Sequence, residues 1–408
     1  MGREVVITSA VRTAIGRLNG ALSEVNISEL GTTVIREAIN RANINPIHID
    51  EVIMGTMYYT GDLPSNAARS LAIRAAIPLE VPAFTLSKHC GASMRAVTLA
   101  AQIIKAGEAD IIVAGGVESM SRTAYILKNA RRGYRLGHGV FIDPLVQRGD
   151  TRELRYDPTC ELGMGETAEK LASIYKISRE KQDLFALESQ QKAERAIQLG
   201  KFKEEIVPIE IPRGKGGSMV FDTDEGPRFG CKIEDLTRLT PVFKKDGTVT
   251  AGNSCGMNDA GVALVIMAKE KALSLGIPPL ATIKSYAAVG LDPTIMGLGP
   301  VYSTRKALGK IGFSLKDIDV IELNEAFAAQ VLAVFEEMSE FKENEHRINP
   351  NGGAIALGHP ISVTGGIILT KLLYEMRREN LRYGLATMCI GGGQGIAIVV
   401  ERENIPKT

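Results

Sequence analysis

Cys90, His359 and Cys389 are the residues whose types and settings suit chemistry in common. In Ser87-Lys88-His89-Cys90-Gly91-Ala92-Ser93-Met94 the cysteine stands where a helical pattern begins, with Met94, Val97, Ala101 and Ile104 recurring at helix spacing. Unpaired backbone N–H groups and the macrodipole at a helix start favour thiolate over thiol, which suits a nucleophile. A free cysteine among small residues is also what a quiet core position looks like, so Cys90 alone does not decide. His359 lies between Gly358 and Pro360 at the end of an apolar, glycine-rich loop that starts at Asn349. A buried histidine is most often structural, but one clamped between Gly and Pro has a fixed orientation and can act as a base. Cys389 sits between an apolar strand and Gly391-Gly392-Gly393. Two thiols and an imidazole together supply nucleophile, base and acid. In Glu322-Leu323-Asn324-Glu325 polar groups end a strand; they either orient a water or His359, or cap a helix.

The elements that must position these groups alternate between strand and helix. Residues 5–8, 50–55, 83–86 and 111–116 read as strands, and Ser28 caps a helix with Leu30, Val34, Ile35, Ala38 and Ile39 on one side. A second helix is expected over 66–76, and Arg12 to Arg17 as a loop with two basic residues. The pattern predicts an α/β fold with a largely parallel sheet. From 119 to 249 charge rises and periodicity loosens, with one long helix over 179–199, which marks an inserted segment. Its basic runs, Arg131-Arg132-Gly133-Tyr134-Arg135 and 213–217, read as solvated surface or as a site for a phosphorylated ligand. Strands at 262–267 and 281–288 and a helix from Ser303 return to the first style.

The two halves of the chain resemble each other. Arg36 to Asp50 aligns without gaps on Arg305 to Asp319, and the same offset of 269 residues places Cys90 on His359 and Ser93 on Ser362. A pseudo-twofold axis would bring such matched helix starts together at the interface of the halves, a usual place for a site.

Composition narrows the function classes. Lys+Arg 48 against Asp+Glu 47 leaves 408 residues with a net charge of +1, which argues against nucleic acid or an anionic membrane as the partner. Five scattered cysteines (90, 160, 231, 255 and 389) without CxxC spacing predict reduced thiols, no structural zinc and a cytoplasmic location. The N-terminus runs into a strand-like segment with no secretory pattern, and Val6 stands where a myristoylation signal needs Ser or Thr.

Cys90-Gly91, Asn324-Glu325-Ala326-Phe327, Gly358-His359-Pro360 and Cys389-Ile390-Gly391-Gly392-Gly393, in that order, resemble the four motifs of the thiolases, and the resemblance covers essentially the whole chain. It implies a thiolase-like α/β fold: two duplicated halves in an α-β-α-β-α arrangement, with residues 1–118 plus 250–272 as one half, 119–249 as an inserted loop domain that binds coenzyme A, and 273–408 as the other half. It also implies ping-pong acyl transfer with Cys90 as nucleophile, His359 as base and oxyanion donor, Cys389 as acid and base, Asn324 holding a water, and the Gly391 N–H in a second oxyanion hole. Coenzyme A is then a co-substrate, with no metal or other cofactor. Its contacts are expected at Met164, Arg228, Ser254, Cys255, Met296 and Phe327. A homodimer or homotetramer is implied, and a small accessory subunit is a further option.

Some neighbours depart from the family pattern. His89 replaces a small apolar residue, Ala92-Ser93 a Ser-Gly, Ser362-Val363 a Gly-Ala, Cys255 a serine, and Gly163 a histidine of the biosynthetic acetoacetyl-CoA group. Neutral drift is one account. The other makes His89, Ser93, Ser362 and Val363 specificity residues of a degradative enzyme whose 3-oxoacyl substrate is branched, aromatic or dicarboxylic. A biosynthetic acetoacetyl-CoA thiolase and a non-catalytic acyl-CoA-binding subunit are the alternatives. A decarboxylating ketosynthase or a hydroxymethylglutaryl-CoA synthase-like enzyme is disfavoured, because each lacks a second thiol at the position of Cys389.

Overall fold

Runs such as Val5-Val6-Ile7 and Ile111-Ile112-Val113-Ala114 have no polar face, so the strands they form must be covered on both sides. The computed structural model describes residues 2–146, 162–213 and 217–403, with Arg213 described by its backbone alone; Cys160 and residues 214–216 of the second basic run lie outside them. Nine strands make the path of the main sheet: β1 (Val5–Thr13), β2 (Glu51–Gly55), β3 (Ala83–Leu86), β4 (Ile111–Ser119), β5 (Asn258–Ala268), β6 (Ala281–Gly290), β7 (Val320–Leu323), β8 (Tyr383–Ile390) and β9 (Gln394–Glu401). Their order is β7-β8-β9-β6-β1-β5-β4-β2-β3. β1, β4 and β5 are buried at every position.

The sheet is mixed rather than largely parallel. Only β2–β3, β2–β4 and β7–β8 run parallel along this path, while β1, β5, β6 and β9 pair antiparallel with their neighbours. The reason is local: β9 returns from β8 through Gly391-Gly392-Gly393, and such a short turn can join only antiparallel strands. Helices Ala92–Ala106 and Thr364–Arg378 pack on each other between the halves, on β2, β4 and β5 and on β7 and β8 respectively. Ile27–Ala42 covers β1, β4 and β5, and Gly299–Gly309 covers β6, β8 and β9, which completes the α-β-α-β-α layering.

Two local expectations change. The cap of the first helix is Asn26, whose Oδ1 accepts from the Ser28 N–H at 2.8 Å, so Ser28 lies inside the first turn. β1 continues to Thr13 and carries Arg12 into the core instead of a basic loop. The buried guanidinium donates to Asp224 at 2.7 and 2.9 Å and to Glu205 at 2.8 Å, joining β1 to the segment after the long helix Arg179–Gln198.

The duplication is real in the fold, but its register shifts. Pro46–His48 and Leu315–Asp317 keep the offset of 269. The turn His89–Gly91 and helix Ala92–Ala106 instead match Ile361–Val363 and Thr364–Arg378, so the counterpart of Cys90 is Ser362, not His359. The second half has three extra residues before its helix. They put His359 ahead of the helix start, where it reaches across to the other half.

Candidate active site

The turn that carries Cys90 is built by an unusual backbone and a close approach. His89 has φ +45°, a left-handed conformation that few non-glycine residues adopt, and it turns β3 sharply toward the helix. A Cβ at Gly91 would lie 2.4 Å from Ile390 Cδ1, so any larger residue would have to displace the tip of the Ile390 side chain on which this turn rests at the end of β8. Opposite it, Gly358 has φ +114° and no room for a side chain, since a Cβ would meet the Asn258 amide at 2.5 Å. That amide holds the next residue in place: Asn258 Oδ1 accepts from the His359 N–H at 2.8 Å, and its Nδ2 donates to the Gly16 carbonyl at 2.9 Å.

His359 Nε2 lies 3.3 Å from Cys90 Sγ, and Nδ1 lies 2.7 Å from Thr364 Oγ1. The Thr364 hydroxyl donates to the Pro360 carbonyl at 3.0 Å, so its oxygen is left to accept from Nδ1–H. This assigns the tautomer: the bare lone pair is on Nε2 and faces the sulfur. The backbone N–H groups of Gly391 and Cys90 also point at Sγ.

Burial outweighs the helix start at this sulfur. Desolvation pushes the Cys90 thiol up to about 11, against the lowering effect of the two N–H groups, and pushes the His359 imidazole down to about 4. The resting pair is therefore neutral thiol and neutral imidazole, where the sequence suggested a thiolate. Burial, followed by the charges of Cys90 and Cys255, raises the Cys389 thiol well above the usual range, and it too is protonated. Asn324 directly follows β7, with both amide atoms of its side chain buried and without a hydrogen-bond partner among the described residues. Glu118, at the end of β4, is fully buried and accepts from the N–H groups of Tyr58 at 3.1 Å and Ser362 at 3.2 Å; burial raises it to about 7.

The two cysteines and His359 meet at a cleft of about 440 Å³, whose lining includes neither Asn324 nor Glu118. Cys90, His359, Cys389 and Gly391 line it, as do Met164, Ser254, Cys255, Met296 and Phe327. One wall is stitched to the floor: the Cys255 N–H donates to the Ala326 carbonyl at 3.0 Å, and Phe243 meets Phe327 edge-on at 6.0 Å. Arg228 is not in this cleft. It lines an adjoining cavity of about 240 Å³ with Arg17, and Ser254, Gly256 and Met257 are shared between the two.

The four expected specificity residues do not line the cleft. Ser93 is fully buried, donates to the Val363 carbonyl at 3.0 Å and accepts from the Gly366 N–H at 2.8 Å. Ser362 donates to the Val117 carbonyl at 3.2 Å, Val363 is core, and His89 serves the turn. Ser93 and Ser362 thus tie the two halves together. Tyr58, Met120, Phe243, Met257 and Ile361 line the cleft and were not anticipated, because single apolar residues in loops carry no local signal. Among the described residues no cluster of His, Cys, Asp or Glu could hold a metal ion, and no helix is long and apolar enough to cross a membrane.

Comparison with known proteins agrees over the whole chain. Residues 5–270 match the thiolase N-terminal domain and residues 277–402 the thiolase C-terminal domain. An acetyl-CoA acetyltransferase of Syntrophomonas wolfei is 51% identical over 403 residues, and one of Pseudomonas aeruginosa 48% over 401, each match covering 98% of this chain and 100% of the relative. The crystal structure of the Bacillus anthracis acetyl-CoA acetyltransferase superimposes with a TM-score of 0.93 at 43% identity, covering 98% of this chain and 99% of that one. Human mitochondrial 3-ketoacyl-CoA thiolase in complex with CoA gives 0.90 at 38%, covering 98% of each chain. With both domains matched and relatives near half identity along the full length, the chain belongs to the thiolase family and is an acyltransferase.

Proposed function

We propose that the protein transfers acyl groups between coenzyme A thioesters through an acyl-Cys90 intermediate, cleaving a 3-oxoacyl-CoA with free coenzyme A. The observation that carries this is the bare Nε2 of His359 at 3.3 Å from Cys90 Sγ, in a cleft that also holds Cys389. As Sγ attacks the 3-oxo carbon, Nε2 takes the thiol proton. The C2–C3 bond then breaks, its electron pair goes to C2 of the departing acetyl-CoA, and Cys389 supplies the proton there. In the second half-reaction Cys389, now a thiolate, deprotonates coenzyme A. The new thiolate attacks the thioester, and Cys90 leaves and recovers its proton from His359. Oxyanions form at each addition. The N–H groups of Cys90 and Gly391 serve one, and His359 with a water held by Asn324 serves the other.

Coenzyme A lies along Met164, Ser254, Cys255, Met296 and Phe327, with its phosphates toward Arg228 and Arg17. Tyr58, Met120, Leu145, Val146 and Ile361 give the acyl group an apolar setting, and no described cation lines the cleft. A terminal carboxylate would be desolvated there without a partner, which favours branched, aromatic or plain apolar chains over dicarboxylic ones. Replacement of the biosynthetic group's histidine by Gly163 beside the cleft supports the degradative direction, while condensation to acetoacetyl-CoA is the reading favoured by the names of the relatives. The inserted segment exposes Tyr125, Leu136, Val140 and Phe141, which supports assembly as a homodimer or homotetramer. The free cysteines suit a cytoplasmic enzyme.

The test is coenzyme A-dependent cleavage of short, long, branched and aromatic 3-oxoacyl-CoAs, with acyl-Cys90 followed by mass spectrometry. Cys389→Ala should still acylate from acetyl-CoA and lose cleavage. A chain that never acylates would instead be a binding subunit, and full turnover by Cys389→Ala would refute the assigned acid.

A further inference from the structure

Beside the Cys90 turn, outside the catalytic cleft, a cavity of about 370 Å³ opens between helix Ala92–Ala106, strand β6 and helix Gly299–Gly309. Its charged lining residues are Lys88, Arg95, Lys306 and Lys310, with Thr98, Gln102 and Tyr286 between them. A fifth cation, Lys105, shares the Tyr286 ring with Lys310, their ammonium groups 5.4 and 5.5 Å from its centroid. Among the described residues the lining cations hydrogen-bond to neutral groups. Lys88 donates to the Gln394 side chain, Arg95 to Thr98 and Gln102, Lys306 to the Ala288 carbonyl and Lys310 to that of Tyr286. Glu401, at the far end of β9, is taken by Lys284 and Arg382.

Cations on an open face spread apart and are screened by solvent. Here they converge on a hollow. Burial, and then the neighbouring charges of Arg95 and Lys310, depress Lys88 and Lys105 respectively. A multiply charged oxyanion relieves that repulsion, and its oxygens match the fork of a guanidinium and the free protons of the ammonium groups.

We propose that this cavity is an anion site, separate from the coenzyme A cleft, that takes a phosphoryl group of the size of phosphate or pyrophosphate between Lys88 and Arg95 on one side and Lys306 and Lys310 on the other. Its position ties it to catalysis. Lys88 is the N-cap of the turn His89–Gly91, and its partner Gln394 begins β9 directly after the glycine turn that presents Gly391. An anion that draws the Lys88 ammonium away from Gln394 therefore loosens a link between the two elements that carry Cys90 and the Gly391 N–H.

Isothermal titration of the intact protein with sodium pyrophosphate, at about 0.15 M ionic strength to screen diffuse attraction, tests the site. Lys306→Gln/Lys310→Gln changes two exposed side chains and should keep the fold, checked by its thermal transition. Arg228→Gln controls for pyrophosphate in the cavity next to the catalytic cleft. One pyrophosphate per chain is expected on Arg228→Gln and at least one on the wild type, with binding to this site at least about tenfold weaker on the double variant, the equivalent of one lost charge-assisted hydrogen bond. No binding to the wild type, undiminished binding to the double variant, or loss of binding in Arg228→Gln would each overturn the proposal.

Discussion

Thr364→Val is the sharpest perturbation of the Cys90–His359 pair, because it removes one hydroxyl, keeps the shape and touches no substrate atom. Thr364 Oγ1 accepts from His359 Nδ1–H at 2.7 Å and gives its own proton to Pro360 at 3.0 Å. Valine leaves the Nδ1–H buried and unpartnered in this tautomer, at a cost of about 1–3 kcal/mol. The imidazole then gains by moving its proton to Nε2, where it faces the sulfur and cannot accept. Requiring the reactive tautomer therefore lowers the rate of Cys90 acylation by roughly 5- to 150-fold. The assay is single-turnover acylation of Cys90 by acetyl-CoA, read as a mass shift, with Thr364→Ser as the conservative control. Thr364→Ser should recover the rate and Thr364→Val should not. Acylation by Thr364→Val within about twofold of wild type would refute the assignment of the proton to Nδ1.

Three further outcomes follow from the buried groups. With the Cys90 thiol near 11 and the His359 imidazole near 4, no thiolate absorbance assignable to Cys90 should appear between pH 6 and 9 when wild type and Cys90→Ser are compared; a thiolate signal at neutral pH would mean an ion pair. Because the folded His359 pKa is depressed, the unfolded chain takes up this proton first as pH falls from about 6.5 to about 4. The wild type should therefore lose up to ~3 kcal/mol more stability over that window than His359→Asn in urea denaturation, and parallel profiles would contradict the depressed pKa. Arg12→Met leaves Asp224 and Glu205 buried without their cation and should cost about 3–5 kcal/mol, seen as a lowered thermal transition; an unchanged transition would show that the pair contributes nothing.

Cys90, His359 and Cys389 were legible because each stands at a glycine turn, where a reactive side chain and an exposed backbone N–H come from adjacent residues. Asn324 was singled out as a polar residue closing an apolar strand, and the fold buries its amide outside the lining of the cleft. Other features depended on what lay across the fold. Arg12 read as a loop cation because its two carboxylates lie about two hundred residues away in sequence. Ser93, Ser362 and Val363 stood out by their departure from a family pattern, yet they bond and pack across the two central helices instead of facing the cleft. Thr364, which fixes the tautomer of His359, looked like any helical threonine.

The sequence by itself determined the α/β alternation and the duplicated halves and singled out Cys90, His359 and Cys389, which the fold brings to one cleft, since periodicity, glycine turns and residue chemistry are local properties. Only the tertiary structure decided that the sheet is mixed, that Ser362 rather than His359 is the counterpart of Cys90, and that the resting thiol is neutral. Strand direction depends on which segments meet, and helix register on how loops of unequal length are accommodated. The ionisation of a thiol depends on how much water its neighbours exclude. A helix start argued for thiolate, and burial against the other half of the molecule reversed it.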